Sequence, residues 1–322
     1  MTLRLSALLP LALAAVSAQQ QQLPTINVDV DVVSVLCSVQ DKRGALIPNL
    51  SKDDFEVFED GKKQEIRYFA RETDLPLTIG LLVDVSVSQE GLIEAERRAA
   101  SQFFSQVLGK KDMAFLISFG AEAELLQDYT NSLKLLRAGL DQLRLSASHS
   151  GLHPGPVPTA SQPRGTILFD AVYLAADEKL RGEVGRKAII LITDGVDQGS
   201  RMKLTQAIEA AHRGDAIVYG IYYYDPGFYR GRSGGFGFGM SDSDLRRMSE
   251  ETGGRLMKVD RRRPLEEIFS EIQTEMRSQY AIGYTPANSA KDGSFRRLEI
   301  RTRNKDLKVR ARKGYYAAQA RP

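Results

Sequence analysis

The sequence has few of the residues that carry covalent or acid–base chemistry. Cys37 is its only cysteine, and histidine occurs three times in 322 residues. A lone cysteine excludes an internal disulfide, so we expect stability to come from a hydrophobic core. Cys37 alternates in phase with Val35 and Val39, which predicts a small buried residue, with pairing to another chain as the alternative. No Ser–His–Asp or Cys–His set is evident, and we expect the protein not to be an enzyme.

A strong charge of one sign is also missing. The formal net charge is +3, with 26% charged and 42% hydrophobic residues. This balance is typical of a soluble globular protein and creates no general attraction to nucleic acid or membranes. Arg261–Arg263 and the basic residues of 296–313 could bind anions, but solvated strand faces are the commoner use of such residues. We therefore expect no nucleic-acid partner.

The chain lacks a hydrophobic run that could span a membrane after export. The apolar run Leu5–Val16 follows Arg4 and is too short to cross a bilayer as a mature helix. It ends in small residues up to Ala18, the pattern of a cleavage site. We interpret residues 1–18 as a signal peptide, with an N-terminal helix as the alternative. The sequence thus predicts an exported protein, periplasmic or extracellular, with no transmembrane anchor in the mature chain.

Alternating apolar and polar residues predict β-strands at both ends of the chain. In residues 19–74 the alternation continues on both sides of Asp60-Gly61, a hairpin turn signal. In residues 279–322 we expect the strand around Leu298 and Ile300 to pair with the strand around Val309. Neither end has enough strands to be stable alone. We therefore predict that the two ends form one small β-rich domain.

The middle of the chain, residues 75–278, alternates strands with helices. Predicted strands are Leu77–Val83, Met113–Phe119, Lys187–Thr193, Ala216–Tyr223 and Arg255–Val259, and Glu122–Gln127 adds a short antiparallel partner. Predicted helices are Leu92–Val107, Ser132–Leu143, Ile167–Leu180, Lys203–His212, Asp242–Glu251 and Pro264–Ser278. Alternation around continuous apolar strands indicates an α/β fold with a doubly wound, mostly parallel six-stranded sheet covered by helices on both faces.

Oxygen-bearing side chains stand where these predicted elements meet. Asp84 ends the first strand, Ser86 and Ser88 follow it at every second position, Asp194 ends a later strand, and Thr166 opens a helix. Ligands of open α/β sheets bind beyond the carboxyl ends of the strands. A set of two carboxylates and three hydroxyls suits a hard divalent cation such as Mg²⁺. The alternative is that the serines cap the next helix and Asp194 starts a turn.

The motif Asp84-x-Ser86-x-Ser88, followed by Thr166 in GTILFDAV and Asp194 in ITDG, resembles the metal-ion-dependent adhesion site of von Willebrand factor type A (VWA) domains. The resemblance covers roughly residues 75–278, and the flanks resemble a bacterial exported subgroup described as VWFA-related. It implies a Rossmann-like fold in which Ser86, Ser88 and Thr166 are direct or near-direct ligands of Mg²⁺, Mn²⁺ or Ca²⁺. Asp84 and Asp194 would then hold metal-bound water.

The function that we expect is a binding module, in which the cation engages an Asp or Glu of a protein partner. The alternatives are a metal-stabilised structural or assembly subunit and, less favoured, a metal-dependent hydrolase. A phosphatase-like site would need a second acid where Ser86 stands. The loops 146–165 and 225–242 would lie on the metal face and set specificity. Their candidate partner contacts are Phe228, Tyr229, Phe236 and Phe238, although a loop without this role is an equal interpretation.

Overall fold

The strands of this protein form where apolar residues alternate or run continuously. The computed structural model describes residues 32–71, 75–145, 165–224 and 242–319. The strands of these residues are β1 (Val33–Gln40), β2 (Phe55–Glu59), β3 (Lys62–Gln64), β4 (Ile66–Arg71), β5 (Leu77–Asp84), β6 (Met113–Phe119), β7 (Ala123–Thr130), β8 (Arg186–Thr193), β9 (Ala216–Tyr222), β10 (Leu256–Lys258), β11 (Tyr280–Tyr284), β12 (Phe295–Thr302), β13 (Lys308–Ala311) and β14 (Gly314–Tyr316).

The helices follow apolar residues spaced three or four apart. They are α1 (Ile93–Val107), α2 (Leu133–Leu140), α3 (Leu168–Tyr173, continued by a π-helical segment Leu174–Leu180), α4 (Leu204–Arg213), α5 (Ser243–Thr252) and α6 (Leu265–Arg277), with 3₁₀ turns at Lys52–Asp54 and Val87–Gln89. On α1 the buried residues include Phe103 and Phe104, and Phe103 stacks on Phe269 of α6 at 4.5 Å between ring centroids. Among the described helices, none combines the length and the apolar character needed to cross a membrane.

The central sheet has the strand order β10-β9-β8-β5-β6-β7. Every pairing is parallel except that of β6 with β7, which is antiparallel. Strands β5, β8 and β9 are buried along their whole length because helices cover both faces. The predicted doubly wound, mostly parallel six-stranded sheet is confirmed. The order of connections reverses between β5 and β8, the point at which such sheets bind ligands.

The two ends of the chain form the predicted β-rich part. Its antiparallel sheets have the orders β13-β1-β11-β4 and β14-β12-β2-β3. Strand β1 pairs with β11 and β13, so that Cys37 lies opposite both Tyr280 and Ala311. The apolar faces of both sheets contribute to one core, which includes Val57 and Leu298. Neither terminal segment supplies this core alone, which is why the halves combine.

One predicted pairing in this part is wrong. Strand β12, with Leu298 and Ile300, pairs with β2 and β14 rather than with β13. Strand β13 pairs with β1 in the other sheet, where Val309 lies opposite Val39. The segment around Asn304 connects the two sheets. The apolar residues of β12 and β13 therefore pack in one core, although the two strands do not hydrogen-bond to each other as a pair. Alternation specifies which face of a strand is buried but not its partner.

Two local predictions of the N-terminal flank are confirmed. Asp60 and Gly61 have φ angles of 48° and 79° and join β2 to β3 as the two-residue turn that hairpins favour. Cys37 is 1% exposed, and burial raises the pKa of its thiol to about 12. The predicted signal peptide, residues 1–18, lies outside the described residues, and the domain boundaries at 74/75 and 278/279 stay predictions.

Candidate metal centre

Asp84 is the last residue of β5 and lies at the carboxyl edge of the sheet. Its carboxylate is fully buried. Oδ1 accepts a hydrogen bond of 2.9 Å from the Ser86 backbone N–H, and Oδ2 accepts one of 2.6 Å from the Thr193 hydroxyl. Because Thr193 ends β8, the second bond joins the two strand ends at which the connections reverse. The carboxylate is therefore fixed in orientation before any ligand binds.

Ser86 and Ser88 follow Asp84 over the same edge. The chain stays extended past the end of β6, since the Val85 N–H donates to the carbonyl of Phe119 at 2.8 Å. Ser86 then precedes the 3₁₀ turn Val87–Gln89, but its side chain makes no capping hydrogen bond there. Instead, the Ser86 and Ser88 Oγ atoms lie 3.0 Å apart. The predicted alternative of helix capping by the Ser86 side chain does not describe this geometry.

Thr166 reaches the same region from a different part of the chain. It is 6% exposed and lies just before α3. Its carbonyl accepts from the Gln198 N–H at 3.0 Å, and the next N–H, of Ile167, donates to Gly120 at 2.9 Å. These bonds hold the Thr166 segment between the end of β6 and the loop that follows β8. In the described part of the chain its hydroxyl makes no hydrogen bond, so it is available to a ligand.

Asp194 follows the last residue of β8 and is 1% exposed. Its Oδ1 accepts a hydrogen bond of 3.2 Å from the Val196 N–H, and the Gly195 N–H donates to the Thr193 hydroxyl at 3.1 Å. Asp194 therefore does begin a turn, as the alternative interpretation proposed. The turn and a role at the site are compatible, because the carboxylate remains buried close to Asp84.

The electrostatics of the site favour a cation. Burial raises the pKa of the Asp84 carboxyl to about 7, and the charge of Asp194 adds to this rise. Hydrogen bonds from Ser86 and Thr193 oppose it. Two buried carboxylates that repel each other, beside neutral hydroxyls, form a donor set that suits a hard divalent ion. The residues present therefore fit Mg²⁺, Mn²⁺ or Ca²⁺.

The structure thus brings together all five predicted ligand residues at one edge of the sheet: Asp84, Ser86, Ser88, Thr166 and Asp194. The described residues contain no group of three or more His, Cys, Asp or Glu that could hold a metal. The candidate partner contacts Phe228, Tyr229, Phe236 and Phe238 lie outside the described residues.

Two polar residues behind the site were not predicted. Glu96 of α1 is fully buried, and neither of its carboxylate oxygens has a hydrogen-bond partner in the described residues. Burial and the charge of Asp84 raise its pKa well above the ordinary value. Gln89 is equally buried and donates to the Tyr223 carbonyl at 3.3 Å. The signal that could have revealed Glu96 is an acid among the buried positions of an amphipathic helix.

The strand order agrees with the fold that the sequence resemblance implies. The α/β part of the chain has a VWA-like fold. Its antiparallel edge strand is β7, and the residues of the predicted motif stand at the edge where β5 and β8 end.

Comparisons with known proteins give remote matches to this VWA fold. A scan of protein-family models and a search of curated proteins found no match. An aerotolerance-related membrane protein of Bacteroides fragilis has 17% identity and a TM-score of 0.43, over 63% of this chain and 98% of that one. Proximal thread matrix protein 1 of the mussel byssus, solved with a zinc-occupied MIDAS motif, has 14% identity and a TM-score of 0.48.

The match to the mussel protein covers 68% of this chain and 50% of that one, so this chain corresponds to about half of its length. The vWF domain of the type V pili tip protein Mfa5 from Porphyromonas gingivalis has 17% identity and a TM-score of 0.30, over 38% and 39% of the two chains. At these identities and TM-scores the matches carry no argument on function. The VWA assignment therefore depends on the strand order and the motif.

Proposed function

We propose that this protein is an exported binding module rather than an enzyme. Its VWA domain would hold a divalent cation at Asp84, Ser86, Ser88, Thr166 and Asp194 and so engage an Asp or Glu of a protein partner. The observation that carries the proposal is the pair of hydroxyls of Ser86 and Ser88, 3.0 Å apart and beside the buried carboxylate of Asp84. Within the described residues the two hydroxyls contact each other, the Ser86 hydroxyl also bonds the Asp84 carboxylate, and the Ser86 side chain caps no helix.

The residue types support binding through an anionic partner group. The hydroxyls of Ser86, Ser88 and Thr166 would bind the cation as neutral ligands, while Asp84 and Asp194 would act through water. Because these direct ligands are neutral, the cation would keep most of its positive charge and could attract a partner carboxylate. Catalysis has less support, because a phosphatase-like site would need an acid where Ser86 stands.

A calorimetric titration of Mg²⁺, Mn²⁺ and Ca²⁺ into the metal-stripped chain tests the cation site. We expect one-site binding that Ser86→Ala removes. Ser105→Ala is the matched control, since Ser105 is an exposed serine of α1 whose hydroxyl donates to the Gln102 carbonyl. The control should bind as the unaltered chain does. Absence of binding, repeated with acetate or an acidic peptide present to complete the shell, would overturn the proposal.

A second measurement separates the candidate functions. If the protein is a binding module, an immobilised Asp-containing peptide should retain it in Mg²⁺ and release it in EDTA. Ser86→Ala should abolish retention without lowering Tm. A structural or assembly subunit would instead lose Tm in EDTA and in the variant. Turnover of p-nitrophenyl phosphate that depends on Mg²⁺ and on Asp84 would favour the hydrolase.

A further inference from the structure

A second concave site lies between helices α1 and α2. It is a groove of about 520 Å³, lined among others by Arg98 and Gln102 of α1 and by Arg137 of α2. Asp141, the residue that follows α2, also lines it. All four residues are exposed, so the groove is open to solvent. None of the five candidate metal ligands lines it, and the proposed function does not use it.

Hydrogen bonds between the two helices fix the walls of the groove. Arg97 of α1 donates through Nε to the Leu140 carbonyl of α2 at 3.0 Å. Its Nη1 pairs with Glu94 at 2.5 Å, so the charge of Arg97 is compensated within α1. In the opposite direction, Arg137 of α2 donates through Nε to the Ser101 hydroxyl of α1 at 3.0 Å. The two walls are therefore tied to each other at two points.

Two arginines of the groove keep hydrogen-bond donors for a ligand. Arg98 makes no hydrogen bond or ion pair in the described residues. Arg137 uses its Nε for Ser101, and both of its Nη groups are without a partner there. Since both side chains are exposed, their guanidinium groups are accessible to a ligand. Planar guanidinium groups bind carboxylate, sulfate and phosphate groups through paired hydrogen bonds. This part of the groove therefore favours an anion.

The groove also offers hydrogen-bond acceptors. The Asp141 carboxylate and the Gln102 side-chain amide make no hydrogen bond in the part of the chain that the structure describes. A carboxylate only accepts hydrogen bonds, so Asp141 favours a ligand with hydroxyl or N–H donors. An anion without such donors would meet only repulsion at Asp141. The ligand that matches both kinds of group carries acidic groups and donors together.

The walls of the groove do not match the common ways of binding a peptide. A peptide that docks through its backbone adds to a strand edge, and one that docks through its side chains needs an apolar or aromatic-lined groove. Here both walls are helices, and among the described lining residues only Leu140 has a purely hydrocarbon side chain. The stems of the arginines add apolar surface that can cover the C–H groups of a polar ligand. These walls favour hydroxyls, rather than peptide N–H groups, as the donors of the ligand.

We propose that this groove binds a short acidic oligosaccharide. Its carboxylate or sulfate groups bind Arg98 and Arg137, and its hydroxyls donate to Asp141 and Gln102. A neutral saccharide would leave the arginines without an anion, and an anion without hydroxyls would leave Asp141 without a donor. The volume lies in the range of sites for drug-sized molecules, which is roughly the size of a short oligosaccharide.

The test uses the full chain in EDTA, so that its result is independent of the metal site. The probes are trigalacturonate, which carries carboxylates, and sulfated maltotriose, which carries sulfates. The comparison ligands are maltotriose, with hydroxyls but no charge, tripolyphosphate, with charge but no hydroxyls, and triglutamate, an acidic peptide.

An NMR titration of the isotope-labelled chain measures binding and its location. We expect at least one probe to shift the amide signals of α1 and α2. That probe should bind at least about tenfold more tightly than each comparison ligand, the effect of about 1.4 kcal/mol. Absence of binding by both probes, or equal binding of any comparison ligand, would overturn the proposal.

Arginine variants place the binding in this groove. Arg98→Gln and Arg137→Gln should each weaken binding of the probe about fivefold, the effect of about 1 kcal/mol. Arg67→Gln is the control, because Arg67 is an exposed arginine of β4 that does not line the groove. It removes the same charge and should bind as the unaltered chain does. All three variants change exposed side chains, and Tm checks that they fold. Equal weakening by the control, or unchanged binding in both groove variants, would refute the site.

Asp141→Ala separates the recognition of hydroxyls from a simple attraction between charges. If Asp141 accepts from the hydroxyls of the saccharide, its loss should weaken binding of the probe about threefold or more. A patch that acts through charge alone would instead bind an anion more tightly once a nearby negative charge is removed. Tripolyphosphate should show that second behaviour and serves as the internal comparison. Unchanged or tighter binding of the saccharide by this variant would contradict the proposal.

Discussion

Replacing Asp84 by asparagine should stabilise the metal-free protein at alkaline pH. The two side chains have the same shape, so the amide oxygen of the Asp84→Asn variant can accept from the Ser86 N–H and its NH₂ group can donate to the Thr193 hydroxyl. The substitution removes a buried charge whose pKa is about 7 instead of 3.8. At about 1.4 kcal/mol per pKa unit, this difference corresponds to at most about 4 kcal/mol of unfolding free energy.

The sign of the pH dependence follows from the raised pKa. The folded chain holds the Asp84 proton more tightly than the unfolded chain, so metal-free wild type should lose stability as pH rises from about 4 to about 7 and then level off. The Asp84→Asn protein lacks this loss. The difference in unfolding free energy between the two proteins should therefore be near zero at pH 4 and reach its full value at pH 8.

Urea unfolding in EDTA at pH 4 and pH 8 measures this difference. Asp41→Asn is the control for the chemistry of the substitution, because Asp41 lies in an exposed turn, where its carboxylate accepts two backbone hydrogen bonds. Added Mg²⁺ should stabilise the wild type at pH 8 and leave the Asp84→Asn variant unchanged. If this variant were less stable than wild type at pH 8 in EDTA, the reasoning about burial and repulsion would be wrong.

Three further predictions concern single residues. Glu96→Leu should raise the free energy of unfolding by about 1–3 kcal/mol at neutral pH, because it removes a buried carboxyl without a partner. Glu94→Leu, on the exposed face of the same helix, is the control and should not raise it. A Glu96→Leu protein less stable than wild type would indicate that the carboxyl has a partner. Cys37 should resist iodoacetamide at pH 8 until the chain is unfolded, because its pKa is about 12, and rapid native labelling would contradict its burial. In thermal unfolding, Gly185→Ala should destabilise the protein by about 2 kcal/mol or more. The reason is that φ at Gly185 is 90° and an added Cβ would lie 2.5 Å from the Pro76 carbonyl oxygen. Gly182→Ala is the control and should be near neutral, because its Cβ would meet nothing within 4 Å.

The central sheet could be predicted from the sequence because continuous apolar strands that alternate with helices are compatible with one arrangement, a parallel sheet covered on both faces. A run such as Leu77–Val83, apolar at almost every position, is stable only with helices on both faces, and the connections then require parallel strands. The five oxygen-bearing residues follow from the same logic. Because Asp84 ends β5 and Asp194 directly follows the neighbouring strand β8, both carboxylates lie at the same edge of the sheet. Their role as ligands is still a prediction, since geometry shows their placement and not their occupancy.

Other features depend on contacts that a linear pattern does not contain. The alternation in β12 is the same whether it pairs with β13 or with β2, so the pattern alone favours a hairpin near Asn304. Glu96 belongs to a helix face that is otherwise apolar, and only packing reveals that its carboxylate lacks a partner in the described residues. Leu36 and Arg312, from opposite ends of the chain, line one cavity together with residues of the α/β part, and no sequence pattern records such long-range contacts. The loops 146–165 and 225–242 lie almost wholly outside the described residues, and their role stays a prediction.

The pairing of β1 has a consequence for the order in which the protein can be made. Apart from a bridge between Gln40 and Leu46, β1 pairs in the described residues with β11 and β13, so Cys37 lies opposite Tyr280 and Ala311. Synthesis therefore delivers the first strand long before its neighbours exist, and pairs this distant in sequence form slowly. A growing chain must keep an unpaired apolar strand from associating with other chains until translation is almost finished. A stop codon before residue 308 would thus damage the beginning of the protein as well as its end.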